Sequence, residues 1–340
     1  MKDPFDKNET RIAVIGGGTG SFMILSELKK YTSQIAAVVT MADDGGSTGV
    51  LRDELGVLPP GDVRKCLVAL SESPKVRDLF DYRFEEGTFK GHSFGNLLLT
   101  TLEKVTGNFT EAVETASEIL RVNGLVVPAT LDNIRLKMEW PNESLVLHGE
   151  RVIDVHYFQL DPRRATLSLV PNATANPTAI AAIEQADLII VAPGDLYTSL
   201  GPLLVIDGVG EALERSKALK IYVSNLVTKN GQTSGFTVSD HASEIERFAG
   251  REFLDVVLYN DEQPTPEIAE AYKAEGSYIT QIDDDVLQTK HYKAVSGNFL
   301  SAMAAPDTAD TLKSGQSLIR HDSDRLVKAI LEVYHRDREV

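Results

Sequence analysis

A short apolar run, Arg11-Ile12-Ala13-Val14-Ile15, ends directly on Gly16-Gly17-Gly18-Thr19-Gly20-Ser21, after which Phe22, Leu25 and Leu28 recur at helical spacing up to Lys29-Lys30. No other feature restricts the fold as much, because a buried strand that turns through glycines into a helix is the first unit of an open parallel α/β sheet. The backbone N–H groups of such a turn, together with the dipole of the helix it opens, form a ready anion site. Glycines also let a phosphate approach the main chain. An ordinary tight turn would use the same residues, but three successive glycines are more than a turn needs. Neither standard nucleotide pattern is complete. Ser21 stands where the dinucleotide fingerprint has its third glycine, and no Gly-Lys-Ser/Thr follows to make a phosphate loop.

Residues 35–40 form a second apolar run, uniform rather than alternating, as expected of a parallel strand buried on both faces. It empties into Met41-Ala42-Asp43-Asp44-Gly45-Gly46-Ser47-Thr48-Gly49, a loop at the carboxyl end of a strand, where open α/β sheets place their ligands. Asp43 and Asp44 could bond a ribose or hold Mg²⁺ beside a diphosphate; the alternative is an Asx-turn. Arg52, Arg64 and Lys65 bring cations to an otherwise acidic stretch, either for phosphates or for pairing with Asp53, Glu54 or Asp62. Pro60 to Asp62 lead into a helix through Cys66 to Leu70, where Cys66 reads as a buried structural thiol. The chain is helical again from Asp78. It then loops through Gly91-His92-Ser93-Phe94-Gly95-Asn96 into a helix over 97–104, and another follows over 109–122. His92 is a candidate acid or base, or a cap of the helix after it.

Short alternating stretches between residues 126 and 171 predict a small antiparallel β insertion. Parallel α/β signals return with a helix over 178–185 and a strand over 188–191, then the loop Ala192-Pro193-Gly194-Asp195-Leu196-Tyr197-Thr198-Ser199. A helix over 210–216 and a strand over 220–223 lead to Ser224-Asn225-Leu226. A strand over 255–259 and a helix over 324–334 complete the pattern. In a parallel sheet these loops share one edge, which makes Gly194, Ser199 and Asn225 candidates for sugar, phosphate or base contacts, or for local capping. Arg320, in Ile319-Arg320-His321-Asp322, could fold back as a late cation.

The formal charge of −16, from 34 Lys and Arg against 50 Asp and Glu, argues against a general nucleic-acid binder. With 42% apolar and 25% charged residues the chain is composed to fold. A single cysteine excludes an intrachain disulfide and a multi-cysteine zinc site, and the seven histidines show no ligand spacing. There is no apolar run of membrane-spanning length and no secretory segment in residues 1–10, so the expectation is a cytoplasmic protein with a tail at 1–10 and one Rossmann-like domain over 11–340.

Four blocks carry a resemblance: Gly16 to Gly20; Val39-Thr40 through Asp43-Asp44-Gly45-Gly46-Ser47 to Arg52; Pro59-Pro60-Gly61-Asp62-Val63-Arg64-Lys65-Cys66; and Gly91-His92-Ser93-Phe94-Gly95-Asn96. They resemble the YvcK branch of the YvcK/CofD-like family, and the likeness continues through Pro193 to Ser199 and Tyr222 to Leu226 as far as Asp240-His241. It implies an α/β, Rossmann-like fold and a uridine-diphosphate-sugar ligand, with UDP-N-acetylglucosamine the leading candidate. It also implies a bacterial regulator supporting cell shape and wall-precursor supply during gluconeogenic growth. The other branch is a 2-phospho-L-lactate transferase of deazaflavin cofactor synthesis, and it typically lacks Gly45-Gly46-Ser47 and the Pro-Pro-Gly-Asp block. The expected ligand contacts are Gly16, Gly17, Gly18, Thr19, Gly20, Ser21, Asp43, Asp44, Gly45, Gly46, Ser47, Arg52, Asp62, Arg64, His92, Asn96, Gly194, Ser199, Asn225 and Arg320. Mg²⁺ at Asp43 and Asp44, a regulatory protein partner and a homodimer stay open, and Asp44 and His92 are the candidates should catalysis occur. Lys65 departs from the family, where Asn is common, and adds a charge beside the site.

Overall fold

The computed structural model describes residues 10–301 and 319–338; the expected tail at 1–10 lies outside them except for Thr10. Among the described residues seven strands, all parallel, form one sheet in the order β10-β9-β8-β7-β1-β2-β3. They are β1 (Ile12–Gly16), β2 (Ile35–Val39), β3 (Leu125–Pro128), β7 (Leu188–Val191), β8 (Leu219–Val223), β9 (Val256–Asn260) and β10 (Lys293–Gly297). With β1 flanked by β2 on one side and β7 on the other, the strand order reverses between β1 and β7. That switch point opens a crevice at the carboxyl ends of the strands.

Uniform apolar strands are what a sheet covered on both faces requires. Ile12 and Val14 join one core with Ile24, Leu25, Cys66 and Leu67, while Ala13 and Ile15 join the other with Val191, Trp140 and Tyr197. The first core lies under α1 (Gly18–Leu28), which follows the glycine turn, and α3 (Gly61–Leu70). Between these, α2 (Gly46–Leu55) begins inside the expected loop, with Gly45 as its N-cap; α4 (Pro74–Asp81), α5 (Phe94–Thr106) and α6 (Phe109–Leu120) follow. Cys66 is fully buried, and burial pushes its thiol far up, which agrees with a structural role.

The insertion pairs β4 (Arg135–Trp140) with β5 (Leu145–His148) and β6 (Thr166–Val170) as a three-stranded antiparallel sheet. Leu136, Met138 and Trp140 alternate inward along β4 and roof the second core. Between β5 and β6 lies α7 (Glu150–Val155), and α8 (Pro177–Gln185) restores the parallel pattern. Residues 126–128, expected in the insertion, belong to the main sheet, where β3 pairs parallel to β2. The strand's run of Leu-Val-Val-Pro is too short to show periodicity. The edge strand β10 has no clear sequence signal, because it is half exposed and carries Lys, Ser and Gly instead of an apolar stripe. The helix Val238–Ala249 lies outside the expected elements, although Thr237 and Asp240 form a full capping box at its start.

Candidate functional site

A cavity of about 1000 Å³ occupies the crevice at the switch point. Gly17, Gly18, Thr19 and Gly20 line it from the first turn of α1, Gly194, Asp195 and Ser199 from the loop after β7, and Asn225 and Leu226 from the loop after β8. Asp43, Asp62 and Lys65 line a further wall, with Glu150 and Asp154 reaching in from the insertion. Residues 319–321 close the remaining side.

The glycines of the turn have different physical reasons. Gly18 has a φ of +63°, a left-handed conformation that favours glycine. A methyl group there would meet nothing nearer than Lys65 Nζ at 3.8 Å, so its surroundings are open. At Gly20 a methyl group would lie 1.7 Å from the carbonyl oxygen of Pro193, so this glycine lets α1 press against the loop after β7. One at Gly17 would lie 2.6 Å from Asp62 Oδ2, which places that carboxylate directly over the turn. Gly17 caps α1 with no side-chain acceptor for the helix N–H groups. Gly16 and Ser21 sit beneath the turn and do not line the cavity.

Asp43 accepts from the Gly45 N–H at 2.9 Å, the Asx-turn arrangement, and still lines the cavity. Burial and the neighbouring Asp62 raise its pKa. Asp44 points elsewhere. Its carboxylate, 7% exposed, accepts from Arg135 at 3.1 Å and from the backbone N–H groups of Glu150 and Arg151 at 3.2 and 2.7 Å, clamping the start of α7. The tandem aspartates therefore do not form one donor set for Mg²⁺, and no group of three or more His, Cys, Asp or Glu among the described residues has metal-binding geometry.

Several other nominated residues meet in joints between layers. Arg52 donates to Asn133, to the Ile134 carbonyl and to the Asp43 carbonyl, fixing α2 to the insertion. Arg64 bonds Asn96 Oδ1 at 3.0 Å and pairs with Asp81. Ser47 Oγ lies 2.9 Å from His92 Nδ1 and accepts from Asn96 Nδ2 at 3.3 Å. The cap of α5 is Ser93, not His92. Gly45, Gly46, Ser47, Arg52, Arg64, His92 and Asn96 do not line the cavity. Asn225 lines it and gives one of its two amide N–H donors to the Gly194 carbonyl at 2.9 Å, tying the two loops together.

The insertion supplies what the sequence left unassigned. Glu150 is pushed up to about 8 by burial, then by Asp43, Asp154 and Asp44. Asp154 pairs with Lys229, which also reaches Asp195 at 3.1 Å. Burial works against the Lys229 charge, but these two carboxylates outweigh it and raise its pKa. Glu150 and Asp154 sit four residues apart on one helix, a spacing that puts both on one face and could have drawn notice. His321, next to Arg320, also lies on the lining.

The cavity is an anion-ready turn facing a wall of carboxylates, with Lys65 and Arg320 on its lining. Such a site can hold a phosphate at the turn and accept from hydroxyls at the carboxylates.

The family model for 2-phospho-L-lactate transferase CofD matches residues 12–300. A relative in Clostridium acetobutylicum, provisionally named a gluconeogenesis factor, is 41% identical over 324 residues, covering 95% of this chain and 69% of its own. The gluconeogenesis factor of Bacillus subtilis is 36% identical over 326 residues, 95% of this chain and 98% of its own. A crystal structure from Bacillus halodurans, described as a member of the UPF0052 family, superposes with a TM-score of 0.85 at 36% identity, over 95% of this chain and 100% of that one. The chain belongs to the YvcK/CofD-like family.

Proposed function

We propose that the protein binds a nucleotide-diphosphate sugar of the UDP-N-acetylglucosamine type and works as a regulator, as the name gluconeogenesis factor suggests for its relatives. The observation that carries this reading is the cavity at the β1/β7 switch point, about 1000 Å³ in volume, with an uncapped helix N-terminus on one wall. That volume is at the upper end for small-molecule pockets and suits a ligand with three parts: base, diphosphate and sugar. In this reading Gly18 to Gly20 and Lys65 take the diphosphate, and Asp154 and Asp195 accept from sugar hydroxyls. A Mg²⁺ arriving with the diphosphate would meet Asp43 and Asp62. The protein acts in the cytoplasm, passes its bound or free state to a protein partner, and supports wall-precursor supply and cell shape. No helix among the described residues is long and apolar enough to cross a membrane.

The match to the transferase model supports a second reading, in which the protein moves a phospholactyl group from a nucleotide-activated donor. Incubation with labelled UDP-N-acetylglucosamine and Mg²⁺ separates the two. Stoichiometric binding, with the ligand recovered intact, supports the regulator; multiple turnovers of any nucleotide-activated donor support the transferase. No heat of binding for any nucleotide sugar would remove both.

A further inference from the structure

Two carboxylates on the cavity lining, Asp154 and Asp195, share a cation that is not on the lining. Lys229 Nζ pairs with Asp154 Oδ1 and lies 3.1 Å from Asp195 Oδ2. The ammonium therefore joins the insertion, which carries Asp154 on α7, to the loop after β7, which carries Asp195. Each acid reaches it through one oxygen, so those two oxygens stand no more than two hydrogen bonds apart, about 6 Å. Thr198 Oγ1 also donates to Asp154 Oδ1, at 3.4 Å. Among the described residues no donor meets the second oxygen of either acid, and the two side chains are 37% and 45% exposed.

A staple between layers would use the same groups, but this junction is already fastened. Gln232 Nε2 donates to the carbonyls of Ile153 and Asp154 at 2.9 and 2.8 Å, and the Phe158 N–H donates to the Gly231 carbonyl at 2.7 Å. Asp44 holds the other end of α7. Asp195 adds a second sign. It stands at the N-cap of the helical turn Leu196–Leu200, where an aspartate ordinarily accepts from a free backbone N–H, yet its side chain caps nothing there. Its carboxylate turns to Lys229 instead. Lys229 is fixed in its turn, because its N–H donates to Thr233 Oγ1 at 2.7 Å and its carbonyl accepts from the Gln232 and Thr233 N–H groups at 3.0 Å each. Despite burial, the two carboxylates keep it charged.

We propose that Lys229 is a positioning residue, which holds Asp154 and Asp195 side by side so that their second oxygens form one paired acceptor for hydroxyls of the ligand's sugar. The proposal rests on the nucleotide-sugar reading above and names what that sugar must offer. Hydroxyls donate to carboxylate oxygens. An acidic group in their place would set acceptor against acceptor and like charge against like charge, at a cost in affinity. The site therefore selects a neutral, hydroxyl-bearing sugar over an acidic one. Without the ammonium the two carboxylates repel and turn apart, and the sugar loses both acceptors at once.

Calorimetry on the full chain tests this with UDP and UDP-N-acetylglucosamine. Lys229→Met should weaken UDP-N-acetylglucosamine about ten-fold more than it weakens UDP, and Lys229→Arg, which keeps the cation, should restore part of the difference. A mere fastener would lower both affinities alike, so equal losses overturn the proposal. Ligand analogues carry the test to the unmodified protein, where no variant has to fold. Removing the sugar hydroxyls one at a time should cost about five-fold or more for at least one of them, and that cost should vanish in Lys229→Met. UDP-glucose should bind about five-fold or more tighter than UDP-glucuronate, which carries a carboxylate at the end of the same sugar. Equal or tighter binding of UDP-glucuronate overturns the proposal and leaves the nucleotide reading intact, as does indifference to every hydroxyl. Binding of neither UDP nor any nucleotide sugar overturns both.

Discussion

Asp43 and Asp44 are neighbours in the chain, at the mouth of the same strand, and yet they belong to different parts of the molecule. Asp43 closes an Asx-turn onto Gly45 and keeps a face on the cavity, whereas Asp44 is buried against Arg135 and the first N–H groups of α7. The same division runs through the other candidates. The turn after β1, with Asp62, Gly194, Ser199 and Arg320, faces the crevice; Ser47, Arg52, Arg64, His92 and Asn96 join α2, α3 and α5 to the loops and insertion around them. The carboxyl edge of a parallel sheet is where ligands bind, but it is also where inserted elements must be fastened, and both tasks use Asp, Arg, Ser and Asn. A residue's place at that edge does not tell which task it has.

Gly20 and Gly18 divide in the same way and give the largest expected effect. Gly20→Ala puts a methyl group 1.7 Å from a backbone oxygen, which only a shift of α1 or of the loop after β7 can relieve. A loss of about 3–5 kcal/mol in unfolding free energy is expected, from denaturant titration. Gly18→Ala meets no neighbour but must hold φ at +63°, so about 1–2 kcal/mol is expected, together with weaker nucleotide-sugar binding. Equal losses from the two would mean that Gly18 has a packing role as well.

Next comes the aspartate pair itself. Asp44→Ala leaves Arg135 and two backbone donors without their acceptor, and should lower stability by about 2–4 kcal/mol. Its effect on binding should come only through loosening of α7. Asp43→Asn removes a carboxylate whose pKa is already raised by burial and by Asp62, so it should leave stability nearly unchanged while shifting nucleotide-sugar affinity and any Mg²⁺ dependence. If calorimetry finds Asp44→Ala the more harmful to binding in a protein that still melts cooperatively, the division drawn between the two residues is wrong.

The parts that were legible before the structure share a local cause. Uniform apolar runs at 12–16, 35–39 and 188–191 become central strands because residues buried on both faces need no partner pattern to be read. The glycine turn and Asp43 reach the cavity because chain direction alone carries them to the carboxyl edge. What stayed hidden depends on distant contacts. Asp44 is oriented by residues 106 and 107 positions away, and Glu150 enters the site only because the insertion folds over α2. Within a local window the only hint is the four-residue spacing of Glu150 and Asp154, which puts both on one helix face but does not say what that face meets.

Glu150 offers a sharper test of how far the insertion belongs to the site. Its pKa rises from the ordinary 4.5 to about 8, so the folded state keeps a proton that the unfolded chain has released. Below about pH 4.5 the residue contributes no difference; between there and pH 8 stability falls as pH rises, and above pH 8 the loss is constant. Glu150→Gln should therefore match the unmodified protein near pH 4 and exceed it near pH 9, by on the order of 2–4 kcal/mol. Urea unfolding at both pH values is the measurement. An unchanged pH slope in the variant would show that Glu150 is solvated and that the insertion stands further from Asp43 than described.

The smallest effect on stability should come from Lys65, and it is informative for that reason. Its ammonium lies 3.3 Å from Asp62, one helical turn earlier, and the side chain is 39% exposed. Such a pair is worth about 0–1 kcal/mol, so Lys65→Asn should scarcely move the unfolding transition. Binding is another matter, because Lys65 is the cation on the cavity wall beside Gly18, and a phosphate resting on the first turn of α1 would sit within its field. Removing one unit of charge there should weaken nucleotide-sugar affinity several-fold at low salt and less at high salt, since screening shortens the reach of an exposed cation. Arg64 is the control. It lies one residue away, equally cationic, but its guanidinium is engaged by Asn96 and Asp81. Arg64→Lys should lower stability without changing the salt dependence of binding. If instead Lys65→Asn leaves the salt dependence untouched and Arg64→Lys alters it, the diphosphate lies on the far side of α3, and the joints would have to be read as the site.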